Sequence, residues 1–92
     1  MIRIYWYCKD NGVTFSELAI LDFIHQQGYT FIDDLAVLMK STRTPVYMHL
    51  NRLTKKGLVE SHYPYGNKHA RELSLTAAGR RLVRCLRAKK IV

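Results

Sequence analysis

Apolar residues recur with a helical period in four segments of the chain, which polar turns separate. In the first segment, 14–27, apolar residues cover more than half of the helix circumference: Phe15, Leu18, Ala19, Ile20, Leu21, Phe23 and Ile24. A helix this apolar is buried on more than one side, so we expect it to be central to the fold or shared with a second subunit. Thr14 or Ser16 can cap its N-terminus, and Gly28 can end it.

Two shorter helical segments follow and are joined by a tight turn. Thr30 begins the first, with Asp33 and Asp34 in the first turn, where the helix dipole favours carboxylates. Residues 40–42 form the turn. The second helix starts at Thr42 or Thr44, of which Thr44 followed by Pro45 is chemically the better choice. It ends at Gly57, and its apolar stripe is Val46, Leu50 and Leu53.

The remaining segments complete a single domain over residues 1–92. Alternating apolar residues predict a strand or extended arm over 1–12. The helical part follows over 14–57, and it contains a helix-turn-helix over 30–56. Residues 58–75 predict a β-hairpin, and Thr76 caps a last helix over 76–90. We therefore expect a mainly α protein with a small β-hairpin, a winged helix-turn-helix.

Basic side chains are concentrated in the second half of the chain. Residues 1–39 carry two basic and five acidic side chains, a net charge of −3, whereas residues 40–92 carry 13 basic and two acidic ones, a net charge of +11. Such asymmetry favours a polyanionic partner, with nucleic acid ahead of anionic lipid. A basic surface that is only solvated is the alternative.

From Thr14 to about Val83 the residues resemble the multiple-antibiotic-resistance regulator (MarR) superfamily, which has this order of elements. Besides Leu35-Ala36 and the Val46, Leu50, Leu53 stripe, three stretches carry the resemblance: Thr14-x-x-Glu17-x-x-Ile20-Leu21-x-x-Ile24, Lys55-Lys56-Gly57-Leu58-Val59 and Leu73-x-Leu75-Thr76-Ala77-Ala78-Gly79-Arg80. The long terminal helices that build the family's dimer are missing or short here, so its dimer geometry and nearby ligand pocket do not carry over.

Helical geometry separates the faces of the second helix of the pair. With Val46, Leu50 and Leu53 on the core side, the opposite side carries Thr44, Met48, Asn51 and Lys55, flanked by Tyr47 and Arg52. In a major groove, Asn51 can pair with adenine, while Met48 and Tyr47 can touch thymine methyl groups. We expect phosphate contacts from Thr42, Arg43, Arg52 and Lys55. A merely solvated face is the alternative.

The hairpin is the second candidate contact. The resemblance implies that a wing arginine of an Asp-x-Arg pair enters the minor groove, but the matching stretch here is Asn67-Lys68-His69. Candidate contacts at or beside the tip are Tyr65, Asn67, Lys68, His69 and Arg71. A plain turn is the alternative, since Gly66 and Asn67 suit positive φ values.

Several classes of function are disfavoured. The four histidines and two cysteines show no metal-ligand spacing, so we expect the protein to hold no metal. The sequence shows no nucleophile–base pair and no phosphate loop, so we expect that the protein is not an enzyme and has no cofactor. No apolar run is long enough to span a bilayer, and no secretory signal is visible, which predicts a cytoplasmic, nucleoid-associated protein.

The expected function is sequence-specific binding of double-stranded DNA by a small homodimeric transcriptional regulator. The last helix could serve this function by contacting flanking DNA, or its stripe of Leu82, Val83 and Leu86 could pair with a second copy. An amphipathic membrane contact is the third alternative for that helix. The rival functions are a winged helix that binds protein within a larger assembly, and non-specific DNA binding in replication or partition.

Overall fold

The computed structural model describes residues 2–62 and 72–88, which form five helices and three strands. The helices are α1 (Ile2–Asn11), α2 (Phe15–Gln27), α3 (Ile32–Leu38), α4 (Arg43–Lys55) and α5 (Ala77–Ala88). The strands are β1 (Thr30–Phe31), β2 (Val59–His62) and β3 (Glu72–Leu75). The mainly α fold with a β-hairpin that the sequence predicts is confirmed. None of the helices within this part of the chain is long and apolar enough to cross a membrane.

Helix α2 is the centre of the core. Ile20, Leu21 and Ile24 are fully buried, and α2 contacts α1, α4, α5 and β3. Its first turn is fixed by a capping box: the Glu17 amide donates to the Thr14 hydroxyl, and the Thr14 amide donates to Glu17 Oε1, both at 3.1 Å. The predicted central helix, capped by Thr14 and ended at Gly28, is therefore confirmed.

The strand or arm predicted over 1–12 is wrong, since residues 2–11 form helix α1. One face of this helix, with Ile4, Tyr7 and Cys8, packs on the core. The Tyr7 hydroxyl also donates a hydrogen bond to the Leu82 carbonyl of α5. This tertiary packing outweighs the strand propensity of the alternating residues, because intrinsic propensity is a weak prior.

Polar residues form the C-terminus of α1, which ends at Asn11. The amide of Gly12 donates to the Lys9 carbonyl at 3.3 Å, and the amide of Val13 donates to the Cys8 carbonyl at 3.0 Å. These two bonds form a Schellman motif, which needs a residue in the left-handed region after the helix. Gly12 adopts that conformation, with φ of 68°.

The sheet has the strand order β1-β3-β2, and both pairs are antiparallel. Strands β2 and β3 form a hairpin, in which Val59 lies opposite Leu75. The base of the predicted wing is therefore confirmed.

Thr30 was expected to begin a helix, which is wrong. It is 3% exposed and pairs with Leu73 in β3, so α3 begins two residues later, at Ile32.

Candidate nucleic-acid interface

Helix α4 presents an exposed face opposite its buried stripe. Val46, Leu50 and Leu53 are fully buried, as the sequence predicts. The exposed residues of the candidate face are Thr44, Tyr47, Met48, Asn51, Arg52 and Lys55. Met48 is the most exposed apolar side chain on this face, at 64%. The structure thus brings these six predicted residues together on one surface.

The start of α4 corrects one detail of the sequence prediction. The helix begins at Arg43, and the N-cap residue is Thr42 rather than Thr44. Pro45 therefore lies in the first turn instead of at the first helical position. This placement carries no hydrogen-bond cost, since the first amides of a helix have no carbonyl partner within it.

The turn between α3 and α4 is tight and closed by backbone hydrogen bonds. The Ser41 amide donates to the Ala36 carbonyl at 3.0 Å, and the Lys40 amide donates to the Val37 carbonyl at 3.1 Å. Lys40 has a φ of 51°. The turn leaves Thr42 exposed directly before α4, so the predicted helix-turn-helix is present and Thr42 is accessible to a ligand.

One cluster on the side of α4 was not predicted. Glu17, fully buried in the first turn of α2, places Oε2 3.1 Å from Nδ1 of His49 and 3.4 Å from Nε of Arg52. The only sequence signal was the spacing of His49 and Arg52, three residues apart and thus on one side of a helix. The capping box that Glu17 forms with Thr14 gives no sign of this contact with α4.

The Glu17 cluster changes the interpretation of Arg52. A carboxylate buried without a charged or hydrogen-bonding partner is strongly unfavourable. Arg52 supplies part of that pairing, yet its side chain remains 54% exposed. It is therefore both a structural contact and an available cation.

The predicted wing-tip contacts cannot be placed in the same way. Tyr65, Asn67, Lys68, His69 and Arg71 lie outside the described residues. The same holds for the side chain of Arg43.

At the described base of the wing, His62 Nε2 lies 3.7 Å from Glu60 Oε1, and both side chains are about half exposed. Within the described residues, no three His, Cys, Asp or Glu side chains gather as metal ligands would.

Helix α5 corrects another expectation. Leu82, Val83 and Leu86 pack into the domain's own core and are at most 9% exposed. This stripe is therefore not available to pair with a second copy or to enter a membrane. On the exposed side, the Arg87 guanidinium is bound to the Asp22 carboxylate at 2.7 Å, and Arg80 donates to the Leu75 carbonyl at 2.9 Å.

The arrangement of a helix-turn-helix followed by a β-hairpin occurs in several solved structures. A structure of NadR in complex with 4-hydroxyphenylacetate matches with a TM-score of 0.85 and 25% identity, over 97% of this chain and 63% of that one. An S. aureus MepR–DNA complex matches with a TM-score of 0.86 and 18% identity, over 92% of this chain and 70% of that one.

Reduced MarR from E. coli matches with a TM-score of 0.79 and 20% identity, over 87% of this chain and 59% of that one. The chain has the MarR-type winged helix-turn-helix fold. It spans roughly three fifths of the lengths of the NadR and MarR chains. No protein-family model and no curated protein matches the sequence. In this fold, α3 and α4 are the two helices of the helix-turn-helix.

Proposed function

We propose that this protein binds double-stranded DNA in a sequence-specific manner and acts as a small transcriptional regulator. The observation that carries the proposal is the division of α4 into a fully buried stripe and an exposed polar and apolar face. A helix of this kind fits the major groove, with its outward side chains near the base edges. The similarity to MepR, which has been solved as a DNA complex, supports this use of the fold.

The exposed residues of α4 divide by chemistry into readers and anchors. The Asn51 amide can donate to and accept from adenine, and the apolar surfaces of Met48 and Tyr47 can meet thymine methyl groups. Thr42 and Lys55 are suited to phosphate oxygens, which fix the position of the protein without reading sequence. The net charge of +11 on residues 40–92 supplies the long-range attraction to the duplex.

We further propose that the DNA-bound form is a homodimer. Since the α5 stripe is buried, the candidate contact surface is on α1 and the start of α2. Tyr5, Trp6 and Phe15 are 48%, 52% and 47% exposed, respectively. Two-fold symmetry would place two α4 helices on half-sites about one DNA turn apart. Sedimentation at tens of micromolar protein tests this proposal, and a species that stays monomeric on DNA would contradict it.

The DNA-binding proposal is tested by selection from a random duplex pool, followed by titration of the selected and random duplexes at two salt concentrations. A dimer that neutralises about 6–10 phosphates should lose roughly 10³–10⁵ in affinity between 50 and 200 mM salt. Binding without any enriched sequence would leave only non-specific DNA binding. Absence of binding, or affinity independent of salt, would instead favour the protein-interaction function, with Tyr47 and Met48 as its contact surface.

A further inference from the structure

The Glu17 cluster joins the first turn of α2 to one side of α4. Glu17 Oε1 accepts from the Thr14 amide, while Oε2 alone faces both Nδ1 of His49 and Nε of Arg52. Each of the two side chains on α4 thus contacts the buried carboxylate through its inner nitrogen. The remaining nitrogens, called the outer nitrogens here, are Nε2 of His49 and the two Nη atoms of Arg52.

Both side chains are partly exposed. The His49 side chain is 25% exposed and that of Arg52 is 54% exposed, whereas Glu17 is fully buried beneath them. Among the described residues, Nε2 of His49 has no hydrogen-bond partner. An imidazole with one nitrogen held by a carboxylate has a fixed ring orientation, and its other nitrogen can donate only when the ring is protonated.

We propose that His49 and Arg52 form a phosphate-binding pair for the DNA backbone, oriented by Glu17, and that the His49 contact requires a protonated ring. The inference rests on the proposed DNA binding and names a contact within that site. Glu17 acts as a positioning residue, because its carboxylate holds both side chains before the ligand arrives. Such preorganisation reduces the cost of ordering side chains on binding.

Charged groups from two helices lie at the His49 ring. Among the described residues, Glu17 of α2 and Arg52 of α4 are the charged groups at this cluster. The thiol of Cys8 in α1 lies near the carboxylate, whose charge adds to burial in raising the pKa of that thiol. A DNA phosphate would add a second negative charge beside the ring. Since binding then takes up a proton, affinity rises as the pH falls and declines as the pH rises.

The test is a titration of labelled random-sequence duplex at about pH 6 and pH 8, where histidine changes its charge. Wild type should bind more tightly at the lower pH, by no more than about tenfold per pH unit for each proton taken up. His49→Gln should lose most of that pH dependence. His25→Gln is the matched control, since it removes another half-buried helical histidine and should keep the wild-type dependence.

Two further variants separate a binding role from a purely structural one. His49→Lys carries a permanent charge, so it should bind at pH 8 as wild type does at pH 6. Glu17→Gln keeps both capping-box hydrogen bonds but loses the carboxylate that orients the ring, so its pH dependence between 6 and 8 should shrink. Thermal melts show whether each variant folds. If His49→Gln does not fold, the pH dependence of His49→Lys tests the proposal.

The outcomes distinguish this inference from the function on which it rests. If wild type binds no duplex at either pH, the proposed function fails. If wild type binds but His49→Gln retains its full pH dependence, or a folded His49→Lys shows the wild-type dependence, the phosphate-binding pair is wrong and DNA binding stands.

Discussion

The Cα of Gly79 in α5 lies directly against the carbonyl oxygen of Leu58, at the start of the wing. A Cβ built on Gly79 would sit well inside van der Waals contact with that oxygen. Thr76, one turn earlier, ties the same two segments together: its amide donates to the Leu58 carbonyl at 3.1 Å, and its hydroxyl donates to the Gly57 carbonyl at 2.6 Å. The close approach of α5 therefore fixes the base of the wing next to the end of α4.

Gly79→Ala should consequently destabilise the protein. The added methyl group meets backbone rather than a movable side chain, so α5 or the wing must shift, at a cost of about 1–3 kcal/mol. Urea denaturation measures the loss. Arg84→Ala, an exposed change in the same helix, should stay within about 0.5 kcal/mol of wild type. Equal stability of Gly79→Ala and wild type would show that α5 and the wing can move apart without a loss in the free energy of unfolding.

Tyr7→Phe should also lower the free energy of unfolding, by about 0.5–1.5 kcal/mol. The buried hydroxyl donates to the Leu82 carbonyl and thereby joins α1 to α5 across nearly the whole chain. Tyr5→Phe is the matched control on the same helix, because the Tyr5 side chain is 48% exposed. A denaturation midpoint that falls as far in Tyr5→Phe as in Tyr7→Phe would contradict a specific role for the buried hydrogen bond.

Stability should decline in alkaline solution because of two residues of α1. Burial, followed by the charges of Cys85 and Cys8, raises the pKa of Tyr7 above 10.0, and burial, followed by the charge of Glu17, raises the pKa of Cys8 above 9.0. Both groups hold their protons more tightly in the folded state. Their contribution to stability is therefore complete below the unfolded-state values and is lost as the pH rises through the folded ones.

Denaturation midpoints at about pH 8 and pH 10 measure this decline. The double variant Tyr7→Phe/Cys8→Ala begins from a lower stability but should lose less of it between the two pH values. Tyr5→Phe is the control, since that side chain on the same helix is 48% exposed. An undiminished decline in the double variant would assign the alkaline sensitivity to other groups.

The helix-turn-helix could be predicted because its determinants are local. The stripe of Val46, Leu50 and Leu53 has a helical period, and its full burial follows from that pattern. The Thr14–Glu17 capping box is likewise contained within four residues. For the same reason the exposed face of α4 could be deduced, since it is simply the side opposite the stripe.

What the sequence could not supply depends on contacts between distant segments. Strand β1 exists because Thr30 meets Leu73, and neither residue by itself indicates the pairing. Helix α1 is stabilised by the bond from Tyr7 to Leu82, whereas its alternating residues favour a strand in isolation. The pairing of Glu17 with His49 joins residues 32 positions apart, so a capping residue acquires a second role only in the folded chain.

Substitutions on α4 should separate base reading from anchoring. Asn51→Ala should lose about 1–3 kcal/mol on the selected duplex and relax its preference at one base pair, because an amide that pairs with adenine has no equivalent on alanine. Lys55→Ala should weaken selected and random duplexes alike and lower the salt slope by about one unit. Both side chains are exposed, so the fold should survive and circular dichroism checks it.

Lys55 is a better test of anchoring than Arg52. Arg52→Ala would remove a contact of the buried Glu17 carboxylate as well as an exposed cation, so a loss of affinity could come from a shifted α4. The decisive quantity is the ratio of selected to random affinity in each variant. A ratio that falls in Asn51→Ala and holds in Lys55→Ala identifies α4 as the reader. If Asn51→Ala leaves the ratio unchanged, specificity comes from the wing or from the shape of the DNA.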